Sequence, residues 1–244
     1  MPGYFTQQQS ITVRGVADLH IRSLLNNQQY ADPLGLAEKV GLSAATWSLF
    51  GLLWPSGLEL AAHLGQRPVA AGERILEIGC GLGLASLVGH RRGADMTASD
   101  CHPLAAEFLA ENLRLNDLPP MKYRHGLWGV LAPEGPLVPT PSPVPNDGSV
   151  AVAGRFDLIL GSDVLYERDD SGGLAQFIDD HAAAQAEVWI VDPHRGNRPA
   201  FNRRMAQQGF DLTEQRLDRP ASVTEAAYRG RLLTYVRGGG SAHR

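Results

Sequence analysis

The chain has 244 residues, 43% of them hydrophobic and 20% charged, with a formal net charge of −4. That is the composition of a globular protein long enough to bury its own core, one α/β domain with or without an N-terminal extension. A mildly acidic balance gives no support to a nucleic-acid or membrane-surface partner. Two cysteines, Cys80 and Cys101, and eight scattered histidines make neither a disulfide framework nor a metal set.

The first ten residues, MPGYFTQQQS, are polar and unlike a secretory signal. Residues 1–41 read as an N-terminal extension of mixed polarity, with room for an amphipathic helix or strand. The most apolar stretch, Trp47 to Leu64, holds Pro55 and Glu59 and is no membrane span. A reduced, cytoplasmic setting is the expectation. Trp54-Pro55-Ser56-Gly57 reads as a turn, followed by a short helix, GLELAAHL.

From there strands and helices alternate. Arg74–Ile78 has the apolar run of a buried strand and leads into Gly79-Cys80-Gly81-Leu82-Gly83. A helix follows from about Leu84 to Arg92. Asp95–Ser99 is a second strand, ending at Asp100, and Pro103–Asn116 a helix with Pro suited to its first turn. Met121–His125 is a third short strand. Residues 130–154 form a loop that contains Pro133, Pro136, Pro139, Pro141, Pro143 and Pro145, too rich in Pro for regular structure. Phe156–Leu160 is a fourth strand, running into Gly161-Ser162-Asp163. A helix over 173–184, a strand over Glu187–Val191, a helix over 198–208 and a closing pair of strands, 209–217 and 231–237, complete a domain over 42–237. Residues 238–244 read as a flexible tail. This alternation predicts an α/β fold, a mostly parallel sheet with helices on both faces.

The chemistry centres on the glycine turn. Glycines let the backbone turn sharply and approach a ligand without a Cβ in the way. The turn follows an apolar strand, precedes a helix, and is joined by an acid, Asp100, at the end of the next strand. That carboxylate can accept hydrogen bonds from two ribose hydroxyls. A dinucleotide site puts a third Gly or Ala at the sixth motif position, where this chain has Leu84. The Gly-x-Gly-x-Gly spacing, with Glu77 two residues ahead of Gly79, suits S-adenosylmethionine (SAM) better. SAM has no phosphate, but it has an ammonium for Glu77 and a carboxylate for backbone N–H groups.

These runs resemble the motifs of the class I, seven-β-strand SAM-dependent methyltransferases, and in finer pattern the protein lysine methyltransferases among them. The finer likeness lies in Trp54-Pro55, in Leu127-Trp128-Gly129, and in Asp163-Val164-Leu165-Tyr166 at the end of Phe156–Tyr166; it spans roughly residues 42–210. The resemblance implies a Rossmann-like, doubly wound, seven-stranded sheet, mostly parallel with an antiparallel closing strand. It implies SAM as cofactor, with Trp54, Glu77, Gly79, Gly81, Gly83, Asp100, Trp128 and Ser162 around it. Asp163 and Tyr166 would orient the acceptor, a protein side chain with lysine leading. A small-molecule N- or O-methyltransferase and a non-catalytic SAM-binding protein remain the alternatives. Asp163 could instead cap a helix, and Tyr166, Trp54 and Trp128 could be packing residues. Asp192-Pro193-His194-Arg195 after the fifth strand resembles an element of related methyltransferases; Arg195 and Arg198 could meet an acidic partner or tie down carboxylates. The long Pro-rich loop and the first forty residues depart from the lysine methyltransferase pattern.

Overall fold

A seven-stranded sheet organises the molecule, in a computed structural model that describes residues 3–128, 150–166, 169, 171–221 and 227–238. The chain begins with a hairpin, β1 (Thr6–Ile11) and β2 (Leu19–Leu24), and a short helix, α1 (Leu36–Lys39). A 3₁₀ turn over Trp47–Gly51 precedes α2 (Pro55–Gln66). Then come β3 (Arg74–Ile78), α3 (Leu84–Arg91), β4 (Asp95–Asp100), α4 (Ala105–Leu115), β5 (Lys122–His125), β6 (Phe156–Ser162), α5 (Gly173–His181), β7 (Ala182–Asp192), α6 (Arg198–Gln207), β8 (Asp211–Arg216) and β9 (Arg231–Arg237).

The sheet order is β5-β4-β3-β6-β7-β9-β8. Pairings from β5 through to β7 are parallel, and β9 runs antiparallel to both β7 and β8, between which it lies. This is the doubly wound, mostly parallel sheet expected from the sequence. Parallel strands are covered on both faces, so their side chains alternate between two cores. On β6, Leu158 and Leu160 enter one core with residues of α2, α3 and α4. Phe156 and Ile159 enter the other, with Leu174 and Ile178 of α5 and Phe201 and Met205 of α6. Each such fully buried apolar side chain contributes about 1.5–3 kcal/mol relative to exposure.

Two boundaries differ from the sequence reading. Helix α2 starts at Pro55 itself, with Pro at its first turn and Trp54 extended before it, so the Trp-Pro run is a helix start rather than a separate turn. Residues 182–184 belong to β7 and not to the preceding helix: Ala182 pairs with Phe156 across a register shift in β6. Alanine's helix preference is weak enough for tertiary pairing to override it.

The N-terminal extension holds a strand pair. Leu19, Ile21 and Leu24 are buried in the core that also takes α4, while His20 faces out. The outer edge of β2 is not left bare: Asn112 and Asn116 of α4 accept from the backbone N–H groups of Arg22 (2.7 Å) and His20 (3.0 Å). Side-chain acceptors on a helix thus replace a missing third strand. The Pro-rich residues 130–149, Gly129 and the tail beyond Gly238 lie outside the described residues.

Candidate active site

The carboxyl ends of the parallel strands share one rim, where ligands collect in open α/β sheets. A cavity of about 450 Å³ opens there. Its lining includes Trp54, Glu77, Gly79, Gly81, Asp100, Trp128, Ser162, Asp163 and Tyr166, which the sequence reading singled out from five separate segments. Gly83 lies behind, at the start of α3.

The β3–α3 turn explains its glycines. Gly79, Gly81 and Gly83 have φ of +56°, +51° and +75°, in the left-handed region. At Gly81 a Cβ would stand 2.7 Å from the carbonyl oxygen of Phe50, a backbone atom that cannot swing aside. The turn is then locked by β4. The Gly81 N–H donates to Asp100 Oδ2 at 2.8 Å, and the His102 N–H to Asp100 Oδ1 at 2.8 Å. Asp100 is therefore both a wall of the cavity and the clip between two loops.

Glu77 accepts at Oε2 from the Ser86 N–H (2.7 Å) and from the Ser86 hydroxyl. It is 3% exposed, and burial pushes its carboxyl up to about 7. Burial also raises Asp100. Two buried acids on one wall, held by Ser86 and by backbone N–H groups, suit a ligand that brings its own positive charge and hydroxyl donors. These acceptors thus fit SAM. Burial drives the Cys80 thiol up as well, which keeps it a small apolar group.

A second wall comes from the ends of β6 and β7. Asp163 sits at φ +56°, unusual for a residue with a Cβ, and its N–H donates to Val191 O at 2.8 Å. Arg195 donates Nε and Nη2 to the two oxygens of Asp163, at 2.9 and 3.0 Å. Of the two roles left open for Arg195, the structure shows the second, tying down a carboxylate. Arg198 stands 3.9 Å from Asp192, a fully buried acid that also takes the Arg195 backbone N–H. Asn197 donates to Leu165 O at 2.9 Å and fastens the Asp163–Tyr166 turn to the β7 turn. Tyr166 is 42% exposed and stands at the mouth.

Trp54 donates its indole N–H to Leu49 O at 2.8 Å, which fixes it as a side wall. Trp128 lies over Gly79, where a Cβ would meet its ring at 3.3 Å, and packs against Phe177 at 5.6 Å between ring centres. Sequence reasoning missed the lid over the β3–α3 turn: Phe50, Leu49, Leu42, Thr46 and His102 also line the cavity. His102 stacks on Phe50 at 3.6 Å, and burial lowers its pKa to about 3, so it stays neutral. The signal was there, as an aromatic pair, Trp47 and Phe50, just ahead of Trp54-Pro55. Among the described residues no group of three or more His, Cys, Asp or Glu could hold a metal ion.

This sheet order and site position define the class I methyltransferase fold. A ribosomal protein L11 methylase from Lactobacillus delbrueckii superposes with a TM-score of 0.52 over 76% of this chain and 80% of its own, at 19% identity. In sequence, the chain is similar to curated protein methyltransferases. It is 29% identical to an electron transfer flavoprotein beta subunit lysine methyltransferase of Danio rerio over 61% of this chain and 50% of that protein. It is 29% identical to a histone-arginine methyltransferase, METTL23, of Rattus norvegicus over 48% of this chain and 47% of that one. With EEF1A lysine methyltransferase 3 of Mus musculus the identity is 24% over 84% of this chain and 76% of the relative. The match thus spans about half the length of the first two relatives. No family model matches the chain.

Proposed function

We propose that this protein is a SAM-dependent methyltransferase that N-methylates a protein side chain, with lysine the leading acceptor. One observation carries the reading. The buried carboxylates Glu77 and Asp100 and the pair Asp163 and Tyr166 line a single cavity, from the ends of neighbouring strands. The similarity to proteins named for lysine and arginine methylation supports a protein acceptor, and arginine is the second choice.

Bound SAM supplies a methyl group already activated by its sulfonium. The chain has to hold the acceptor nitrogen in line with that methyl at roughly 3–3.5 Å. In this reading Glu77 grips the amino-acid end, Asp100 the ribose, and Trp54 and Trp128 the flat, apolar flanks. Gly79, Gly81 and Gly83 keep the turn low enough for the ligand to lie on it. Ser162 borders the cavity beside Gly57, where it offers a hydroxyl to the amino-acid end. Tyr166 directs its hydroxyl to the acceptor nitrogen, and Asp163 sets the polarity around it. An amine attacks only when neutral, and free lysine has a pKa of about 10.4, so the site must favour the uncharged form.

No helix among the described residues is long and apolar enough to cross a membrane. Thiols at Cys80 and Cys101 suit a reducing, cytoplasmic setting.

Calorimetric titration with SAM, S-adenosylhomocysteine (SAH) and NAD in parallel tests the cofactor. Micromolar binding of the first two without NAD supports the reading; NAD alone overturns it. Labelled SAM with cell lysate, followed by acid hydrolysis, then tells methyl-lysine from methyl-arginine. Label in small molecules alone would refute the protein acceptor.

A further inference from the structure

Three carboxylates line the cavity among the described residues, Glu77, Asp100 and Asp163. The first two belong to the β3–β4 wall and are held by Ser86 and by backbone N–H groups. Asp163 stands at the end of β6 and is the one of the three whose carboxylate accepts from a guanidinium among the described residues. Arg195 grips it with a two-pronged fork, 2.9 and 3.0 Å. The Asp163 side chain is 10% exposed and the Arg195 side chain 41%. Both ends of the fork are fixed. Asp163 is held in a left-handed turn and bonded to Val191, and the Arg195 backbone is anchored on Asp192. Asp192, the next acid along this rim, faces Arg198 at 3.9 Å. Tyr228 is neutral, its phenol pushed up to about 12 by burial.

An unpaired carboxylate beside the transferable methyl would bind a cationic amine well and keep it protonated, hence unreactive. A carboxylate already neutralised by a guanidinium gives the ammonium no such advantage. We infer that Arg195 is a specificity-determining residue of the acceptor site, cancelling the charge of Asp163 so that the site takes the acceptor nitrogen in its neutral form. The amine sheds its proton to solvent on entry. Its lone pair then forms the N–C bond to the methyl as the C–S bond breaks and its electrons return to sulfur. The product leaves as the methylated ammonium, so the one proton released overall is the one the amine shed on entry. The site's neutrality also favours release of that cation. Arg195 acts through Asp163 and touches no reacting atom in this scheme, so it is a positioning residue.

The inference rests on the SAM reading, and the test separates the two without needing the acceptor. Sinefungin carries an ammonium-bearing carbon where SAM has its methyl sulfonium; SAH has an uncharged thioether there. The ratio of their dissociation constants on the full chain reports how the acceptor side treats a cation. Arg195→Gln should shift that ratio toward sinefungin by about tenfold, the order expected for one charge unmasked a few ångströms away in a partly exposed site. Arg195→Lys should stay near the wild-type ratio. The double variant Asp163→Asn with Arg195→Gln should return to it. Asp163→Asn alone, which leaves the guanidinium, should move the ratio toward SAH and serves if Arg195→Gln folds poorly. An unmoved ratio in these variants, with both ligands still bound, overturns the role of Arg195 and leaves the cofactor reading standing. Failure of the wild type to bind either ligand overturns the cofactor reading first.

Discussion

The two walls of the cavity are built on opposite plans. The β3–β4 wall is local: Glu77, the glycine turn, Ser86 and Asp100 lie within 24 residues of one another and hold each other by short hydrogen bonds. The β6–β7 wall is assembled from afar: Asp163 depends on Arg195, 32 residues on, and Trp54 comes from a different helix start. The first wall is buried, acidic and fixed by backbone geometry. The second is more exposed, charge-balanced and fixed by one side-chain fork. A site that binds one common ligand and a variable acceptor gains from such a division, because the acceptor wall can be altered without disturbing the fold of the other.

Substitutions can break or sharpen that contrast. The largest effect is expected at Gly81. Gly81→Val forces a Cβ onto the Phe50 carbonyl in a left-handed conformation, at a cost of about 1–3 kcal/mol for the backbone alone; SAM titration should show no binding, and the melting temperature should fall. Glu77→Gln comes next. Because the folded carboxyl sits near 7 and the unfolded one near 4.5, apo stability should decline as pH rises between those values and level off above 7. SAM binding runs the other way, since its ammonium favours ionised Glu77: affinity should rise from pH 5.5 to 7.5, roughly tenfold or more, and Glu77→Gln should flatten that rise in calorimetry. Asp100→Asn should weaken SAM binding by about tenfold, the loss of a charged acceptor in hydrogen bonds. Unchanged affinity would mean that Asp100 is only the clip between Gly81 and His102. The smallest effect belongs to the exposed wall. Tyr166→Phe should spare SAM affinity and slow methyl incorporation about fivefold, the scale of one hydrogen bond; equal rates would make Tyr166 a packing residue.

The contrast also governs what the amino-acid sequence revealed. The local wall was legible because spacing is its mechanism: a left-handed turn needs glycine, and an acid at the next strand end needs no distant partner. The strands were legible for the same reason, since Ile75, Leu76 and Ile78 repeat an apolar run that only a doubly covered sheet uses. Arg195 was visible as a residue but not as a partner, because nothing in a linear pattern pairs position 195 with position 163. The lid made by Phe50 and His102 was hidden likewise: stacking between a 3₁₀ turn and a loop after β4 leaves no periodicity. The hairpin of the first 24 residues was ambiguous, since its strands are half exposed and the asparagines that satisfy its edge lie on α4. Ala182–Ala184 misled through helix propensity, where pairing with β6 decided the outcome.

The placement of β9 bears on how the protein is made. It is the last strand among the described residues, yet it lies between β7 and β8. While a ribosome is still adding residues 217–230, β7 has no neighbour on that side and β8 has nothing to pair with. The open edge of β7, with Val188 and Ile190 alternating along it, is then the most adhesive surface on the nascent chain. Only when Arg231–Arg237 emerges does one strand close both gaps together. Emergence of β9 is therefore the sheet's sealing step, and a chain stalled before it is the form most in need of a chaperone.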